Sequence, residues 1–400
     1  MTTAEQDTMP TEADPRLGAP DAAMLRPRAD DAERLEAYLP SPVVQNHSAN
    51  IVALADGALG CAWFGGTQEG VADVSIYFSR LEPGATAWPA PRKLSGDASR
   101  SEQNPVLFPA PDGTLWLLHT AQQGGHQDTA FIRRRLSRDN GKTWSDAESM
   151  IEPGPGYGVF VRHPPVVLAS GAWLLPLYRC VTPAEGPWMG DADFSLVRIS
   201  EDSGRSWQEY PVPDSTGCVH MSVVRQAAGG LLGLFRSRRA DFVHASRADD
   251  AGRDWSAPVP TGLPNNNASI QALALADGRI ALVFNASSAA DATGRRSGLY
   301  DDLGEAAPPP SGPAFWGAPR APLKLALSAD GGRTWPWRRN LEVGDGYCLT
   351  NNSKDRRNRE FSYPSLTQTP DGMLHIAFTY FRQAIKYVRL APDWVKEGTP

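Results

Sequence analysis

Twelve positions in this chain hold residues suited to acid–base, anion-binding or ring-stacking chemistry, and they recur at one spacing. His47, Gln103, Arg162, His220, Asn267 and Tyr363 each lie nine to eleven residues before a turn glycine. Trp63, His119, Tyr178, Arg236, Asn285 and Thr379 lie six or seven residues after one. Strand ends that are merely wet would carry Lys, Glu and Ser, whereas His, Arg, Tyr, Asn and Trp are the residues of ligand sites. A guanidinium fork fits a carboxylate with two bonds, so Arg162 and Arg236 read as anion anchors. An imidazole titrates near neutrality and can activate a phenol, so His220 beside Tyr363 reads as a base–nucleophile or base–acid couple, with His47 as a second proton shuttle. Glu69 and Asp73, four apart on a loop entering a strand, are candidates for protonating a leaving oxygen.

Those positions matter only if the elements bearing them converge. Six times an apolar segment meets a Gly-containing turn and then a second apolar segment, with turn glycines at 57, 113, 171, 230, 278 and 372. Asp-Gly between short apolar runs signals a hairpin, because the turn needs positive φ. In a hairpin the start of the first strand lies beside the end of the second, so the twelve residues gather on one rim. An octet follows several of the hairpins. Ser137 to Trp144, Ser200 to Trp207 and Ser328 to Trp335 read S-x-D-x-G-x-x-W, and Ala248 to Trp255 lacks only the Ser. The aspartate bonds backbone amides, the glycine turns left-handed, and the tryptophan packs between neighbouring sheets. Repeats of this length with about four strands each mean a β-propeller, and six hairpins predict six blades of four antiparallel strands.

The octet is the Asp-box, and the chain resembles the sialidase (neuraminidase) superfamily over about residues 41–390. The resemblance implies a substrate carboxylate clamped by arginines, with Arg236 and Arg320 in the places of the second and third. It implies a nucleophilic tyrosine at Tyr363, in Tyr363-Pro364-Ser365-Leu366, and an acid/base near Glu69. The chain departs twice from that pattern. Asn46-His47-Ser48 stands where the first arginine belongs, and His220 falls near the place of the glutamate that partners the tyrosine. The broken triad argues against ordinary exo-sialidase activity and for a sialidase-like branch, which the Trp63-Phe64-Gly65-Gly66 and Gln103-Asn104-Pro105-Val106 stretches resemble. The substrate-binding set is then Arg236, Arg320, Arg162, Gln103, Asn104, Trp63 (to stack on a sugar ring), Asn267, Tyr178 and Arg382, with Tyr363, His220, Glu69, His47 and Asp73 as the catalytic set.

The expected function is a glycoside hydrolase acting on a uronate- or ulosonate-type sugar, without cofactor or metal. A polysaccharide lyase using His and Tyr, a sugar-binding propeller and a biosynthetic tailoring enzyme are the alternatives. The partner is a carbohydrate or a glycosylated small molecule. A net charge of -6 from 39 Lys+Arg and 45 Asp+Glu argues against nucleic acid, which needs a basic face. No apolar run approaches a membrane span. The N-terminus has neither the basic start nor the apolar stretch of a secretory signal, which predicts an intracellular protein, or a secreted one if a leader has been removed. Four isolated cysteines read as buried thiols. Residues 1–40 read as a disordered tail ahead of a single domain over 41–400, with one short helix at Asp30–Leu39. The Pro-rich stretch Gly304 to Pro310 reads as a long loop.

Overall fold

The computed structural model describes residues 13–303 and 312–397; the Pro-rich stretch falls outside them, as do residues 1–12. The six hairpins are present, and each grows into an antiparallel sheet that forms one propeller blade. Blade one comprises Gln45–Ala53, Leu59–Gly66, Ser75–Leu81 and Arg92–Lys93. Blade two runs from Ser101–Pro109 to Glu148–Ile151, blade three from Tyr157–Val161 to Gln208–Pro211, and blade four from Cys218–Arg225 to Val259–Pro264. Blade five runs from Gln271–Ala274 to Trp337–Glu342, and blade six begins with Phe361–Gln368, Leu374–Tyr380 and Ala384–Leu390.

The sheet of blade six is completed from the other end of the chain. Asp31–Leu39 pairs with Ala384–Leu390, Leu35 opposite Arg389 and Leu39 opposite Ile385. The expected helix at Asp30–Leu39 is therefore a strand, and the propeller takes in residues 26–39 rather than starting at 41. Helix-friendly Ala, Glu, Arg and Leu lose to a sheet edge that offers a full ladder of hydrogen bonds and buries Ala37, Tyr38 and Leu39. Only two short 3-10 segments, Ala289–Asp291 and Pro392–Glu397, break the all-β pattern among the described residues.

The Asp-boxes act as read from the sequence. Asp139 Oδ1 accepts from the Thr143 amide at 2.8 Å, while the Gly141 amide donates to Ser137 Oγ at 2.8 Å. Glycine is required at Gly204, where φ is +83° and a Cβ would stand 2.6 Å from the Trp116 ring of the preceding blade. Between blades the core is aromatic and aliphatic: Phe108, Trp116, Trp173 and Leu175 fill one seam, and Trp335 with Leu232 and Leu282 another. Each fully buried side chain of this size contributes about 1.5–3 kcal/mol. All four cysteines are free and buried.

Candidate functional site

The innermost strands do not run straight to the channel mouth. The ladder slips between His47 and Asn50, between Gln103 and Val106, between Val219 and Ser222, and between Ser362 and Ser365. At each slip one non-glycine residue is left-handed: Ser48 (φ 62°), Asn104 (49°), His220 (52°) and Tyr363 (51°). Asn267, just ahead of the inner strand of blade five, has φ 57°. In blade three the inner strand is broken outright between Val161 and Val166, and Arg162 sits in the break. Such conformations cost about 1–3 kcal/mol each for side-chain-bearing residues. Their repetition at equivalent positions means that the bulges re-aim side chains into the channel.

Tyr363 is the centre of what they aim. Arg236 Nη1 donates to its hydroxyl, and the guanidinium carbons of Arg162, Arg236 and Arg320 lie 5.4, 5.6 and 5.5 Å from its ring centroid. The His47 ring tilts over it at 4.2 Å, and the His220 ring meets it edge-on at 5.8 Å. Arg236 is oriented by Nε donating to Asn267 Oδ1 at 2.7 Å, which gives the left-handed turn at Asn267 its purpose. His220 Nε2 lies 3.0 Å from the Tyr178 hydroxyl and 3.5 Å from Arg236 Nη1. Burial, reinforced by Arg236, Arg238 and Arg162, holds His220 well below its ordinary value. Burial does the same to His47, with Arg382, Arg320 and Arg162 adding to it. Both rings are thus neutral, and His220 bonds Tyr178 and Arg236 instead of forming the expected couple with the Tyr363 phenol.

A second layer of charge surrounds this cluster. Glu360, fully buried, accepts from Arg320 Nη1 and Arg382 Nε, and Arg382 Nη1 in turn donates to Glu69. Burial favours the neutral carboxyl at Glu360, yet the guanidiniums of Arg320 and Arg382 overcome it and hold the group well below the usual carboxylate range. Asp193 accepts from Arg238 at 2.7 Å and from the Trp188 indole at 2.9 Å. Arg238 lies 5.2 Å from the Trp188 ring and 5.1 Å from the Trp316 ring, and Trp316 also lies 5.7 Å from Arg236. Tyr300, from the same inserted segment as Trp316, receives bonds from Gln122 and Gln127. Within this surround Tyr363 is only 6% exposed.

Arg162 and Arg236 differ from their neighbours. Both are 1% exposed, and among the described residues neither forms an ion pair with a carboxylate. Arg236 Nη2 is buried without any hydrogen-bond partner, and so is His47 Nε2. Burial pushes both guanidiniums down, each to about 10, although the nearby Tyr363 favours their charge.

The structure thus brings together Tyr363, Arg236, Arg320, Arg162, His47, His220, Tyr178, Asn267, Arg382 and Glu69. Gln103 and Asn104 are buried on the neighbouring rim, where the Gln103 amide donates to Ser101 and Asn104 Oδ1 accepts from Ser48. Arg162 is no free anion anchor: its Nε donates to Ser269, and its Nη atoms donate to backbone carbonyls. Trp63 does not face the channel. It is wholly buried between blades, stacked near Tyr77 with its indole donating to Asn46 at 2.8 Å, because its strand alternates regularly and puts Leu59, Cys61 and Trp63 on the face toward blade six and Ala62 and Phe64 on the face toward blade two. Asp73 is exposed, and its carboxylate accepts from the Thr67 amide within its own loop. Glu360, Arg238 and Asp193 were not singled out by sequence; Glu360 and Arg238 lie two or three residues from a rim position, and that nearness was the available signal. No group of three or more His, Cys, Asp or Glu is arranged to hold a metal among the described residues, and none of their helices is long and apolar enough to cross a membrane.

Solved structures share this architecture. A Hadza microbial sialidase superposes with a TM-score of 0.64 at 16% identity, over 88% of this chain and 67% of that one. The intramolecular trans-sialidase of Ruminococcus gnavus, in complex with oseltamivir carboxylate, gives 0.65 at 14%, over 90% and 98%. A Dyadobacter fermentans protein of unknown function gives 0.65 at 14%, over 88% and 97%. At such identities the likeness is one of fold. No curated protein matches the chain. The match to the BNR repeat-like domain runs from residue 57 to 376, most of the chain and all six turn glycines, and the protein belongs to that family.

Proposed function

We propose that the protein is a sialidase-like glycoside hydrolase that acts on an acidic sugar, of uronate or ulosonate type, at the mouth of the propeller channel. One observation carries the reading: Arg236 is buried without a carboxylate partner, leaves Nη2 unpaired, and donates to the phenol of Tyr363. A buried charge without a counter-charge is costly, and a ligand carboxylate accepting from Nη2 removes that cost while fixing the sugar against the phenol. Arg320 adds its field 5.5 Å from the ring centroid. Tyr363 Oη then attacks the anomeric carbon as the bond to the leaving oxygen breaks, its phenol proton passing to the unpartnered Nε2 of neutral His47, which returns it when water later displaces the phenolate. Glu69 gives that oxygen its proton, and the same carboxylate later takes a proton from the water that displaces Tyr363. Neutral His220 holds Arg236 and Tyr178 in place, and His47 packs on the phenol from the opposite side.

The test is Tyr363→Phe, assayed on glycosides ending in glucuronic acid and in N-acetylneuraminic acid. Turnover falls by about three orders of magnitude while binding of the free acid is retained; undiminished turnover removes the proposal. A second reading, elimination at a uronate, is favoured by one feature, the unpartnered Nε2 of His47 beside a phenol that bonds no carboxylate. New ultraviolet absorbance from an unsaturated product identifies that outcome.

A further inference from the structure

The guanidinium of Arg162 reaches from blade three to three other blades. Its Nε donates to Ser269 Oγ of blade five at 3.0 Å. Nη1 and Nη2 donate to the Ala49 carbonyl of blade one at 3.3 and 3.2 Å. Nη2 also donates to the carbonyls of Tyr363 and Pro364 in blade six, at 3.2 and 3.1 Å. The carbonyl acceptors all belong to bulges, where the ladder has slipped and leaves oxygens without their strand partners. One of these bulges carries His47 and Ser48, the other Tyr363.

From this geometry we infer that Arg162 is the positioning residue of the site: one guanidinium ties the His47 bulge to the Tyr363 bulge and so sets the distance between imidazole and phenol. The planar fork is suited to this, because it satisfies acceptors on two strands at once, which a lysine ammonium does less well. It also explains why Tyr363 remains left-handed at φ 51° without glycine's freedom. The carbonyls of Tyr363 and Pro364 converge on a single donor, and an extended backbone would turn them apart. Arg162 thus acts on the substrate only through Tyr363 and His47, and the anion belongs to Arg236. The kinetic arm of this inference rests on the hydrolase reading; the spectroscopic arm does not.

The experiment uses the full chain carrying Arg162→Met, with a fluorotyrosine at position 363 as reporter. On an acidic-sugar glycoside, kcat falls about 100-fold, the loss typical of a catalytic group misplaced by an ångström. Inhibition by free glucuronic or N-acetylneuraminic acid changes less than about threefold, because the anion contact is elsewhere. Millimolar guanidinium chloride restores part of kcat, and sodium chloride at equal ionic strength does not. The fluorine resonance of residue 363 shifts and broadens in the variant and returns with guanidinium. Collapse of inhibitor affinity with kcat spared overturns the inference, since Arg162 is then the anion contact. An unmoved fluorine resonance overturns it equally. If the unaltered protein turns over no acidic-sugar glycoside, the hydrolase reading fails by itself and the fluorine signal alone decides the role of Arg162. If Arg162→Met does not fold, Ser269→Ala removes the acceptor of the Nε bond. A smaller shift of the same resonance then supports the inference, and an unchanged one overturns it.

Discussion

Two buried clusters of charge lie in this propeller, and they are built on opposite rules. At the closure, where the N-terminal strand completes blade six, Arg34 pairs with Glu36 and Glu342, and Lys386 pairs with the same two acids at 3.0 and 2.6 Å. Every one of those side chains is nearly dry, and every charge has its opposite. In the channel, Arg238, Arg320 and Arg382 are likewise paired, but Arg162 and Arg236 are not. Buried charges kept for architecture come with partners, because an unpaired one costs several kcal/mol. Arg162 offsets that cost with carbonyl dipoles. Arg236 has an unpaired nitrogen, and that difference is why the proposed function gives the ligand carboxylate to Arg236.

The contrast is open to direct attack. Glu36→Gln leaves Arg34 and Lys386 with a single shared acid, and breaking such a buried set costs about 3–5 kcal/mol of stability. Denaturant unfolding reads that loss, while turnover measured well below the transition stays as before. A variant that loses activity in proportion to stability would erase the distinction between the two clusters. Arg236→Met predicts the reverse. Transition-state stabilisation falls by about 3–4 kcal/mol, the scale of a lost oxyanion-type donor, whereas the unfolding midpoint is unchanged or rises because an uncompensated charge has gone.

The two regions also separate along the pH axis. Burial raises the Glu36 carboxyl, but Arg34 and Lys386 outweigh it and bring the group down to about 2, from 4.5 in an unfolded chain. Its folded value is depressed, so the closure contributes fully above pH 4.5 and is lost as pH falls toward 2. His47 and His220 are depressed below 6.5 for lack of solvent, so the folded channel refuses protons that the unfolded chain accepts. Their contribution is full above pH 6.5 and declines below it. Stability measured against pH therefore descends in two limbs. His47→Gln makes the upper limb shallower, with His220 keeping its share, and Glu36→Gln makes the lower one shallower, with Glu360 keeping its share; a single limb that responds to both substitutions would contradict the assignment.

The same contrast explains what could be read from residues alone. The Asp-boxes and turn glycines were legible because each is local: Asp139 accepts from the Thr143 amide and Ser137 from the Gly141 amide, each four residues along. The rim was legible because residue types recur at one distance from those turns, although that distance does not say whether a side chain points along the channel or sideways into a neighbouring blade. Trp63 and Phe64 both point sideways, Trp63 toward blade six and Phe64 toward blade two. The closure was illegible. Arg34 and Glu36 read as part of a short helix, and the partners they meet in the buried strand, Glu342 and Lys386, lie more than three hundred residues away. Glu360 escaped notice for a related reason: its meaning comes from Arg320 and Arg382, which reach it from 40 and 22 residues away.

The smallest effect isolates backbone strain from function. The residue after the Asp-box aspartate is left-handed in three boxes, as Asn140 (φ 56°), Ser203 (58°) and Gly331 (71°). The third box thus already uses glycine where the second strains a serine. Ser203 is exposed and its side chain serves no bond in the turn, since Ser200, Asp202 and Ser206 supply them. Ser203→Gly relieves the left-handed serine, and the gain is partly cancelled by the greater freedom of glycine in the unfolded chain, leaving about 0.5 kcal/mol of added stability. At Asn104, with nearly the same φ of 49°, the side chain bonds Ser48 and joins two bulges of the channel. Asn104→Gly relieves the same strain but releases that tie, so stability does not rise. Equal gains at the two positions would mean that the channel bulges are strained for no structural purpose.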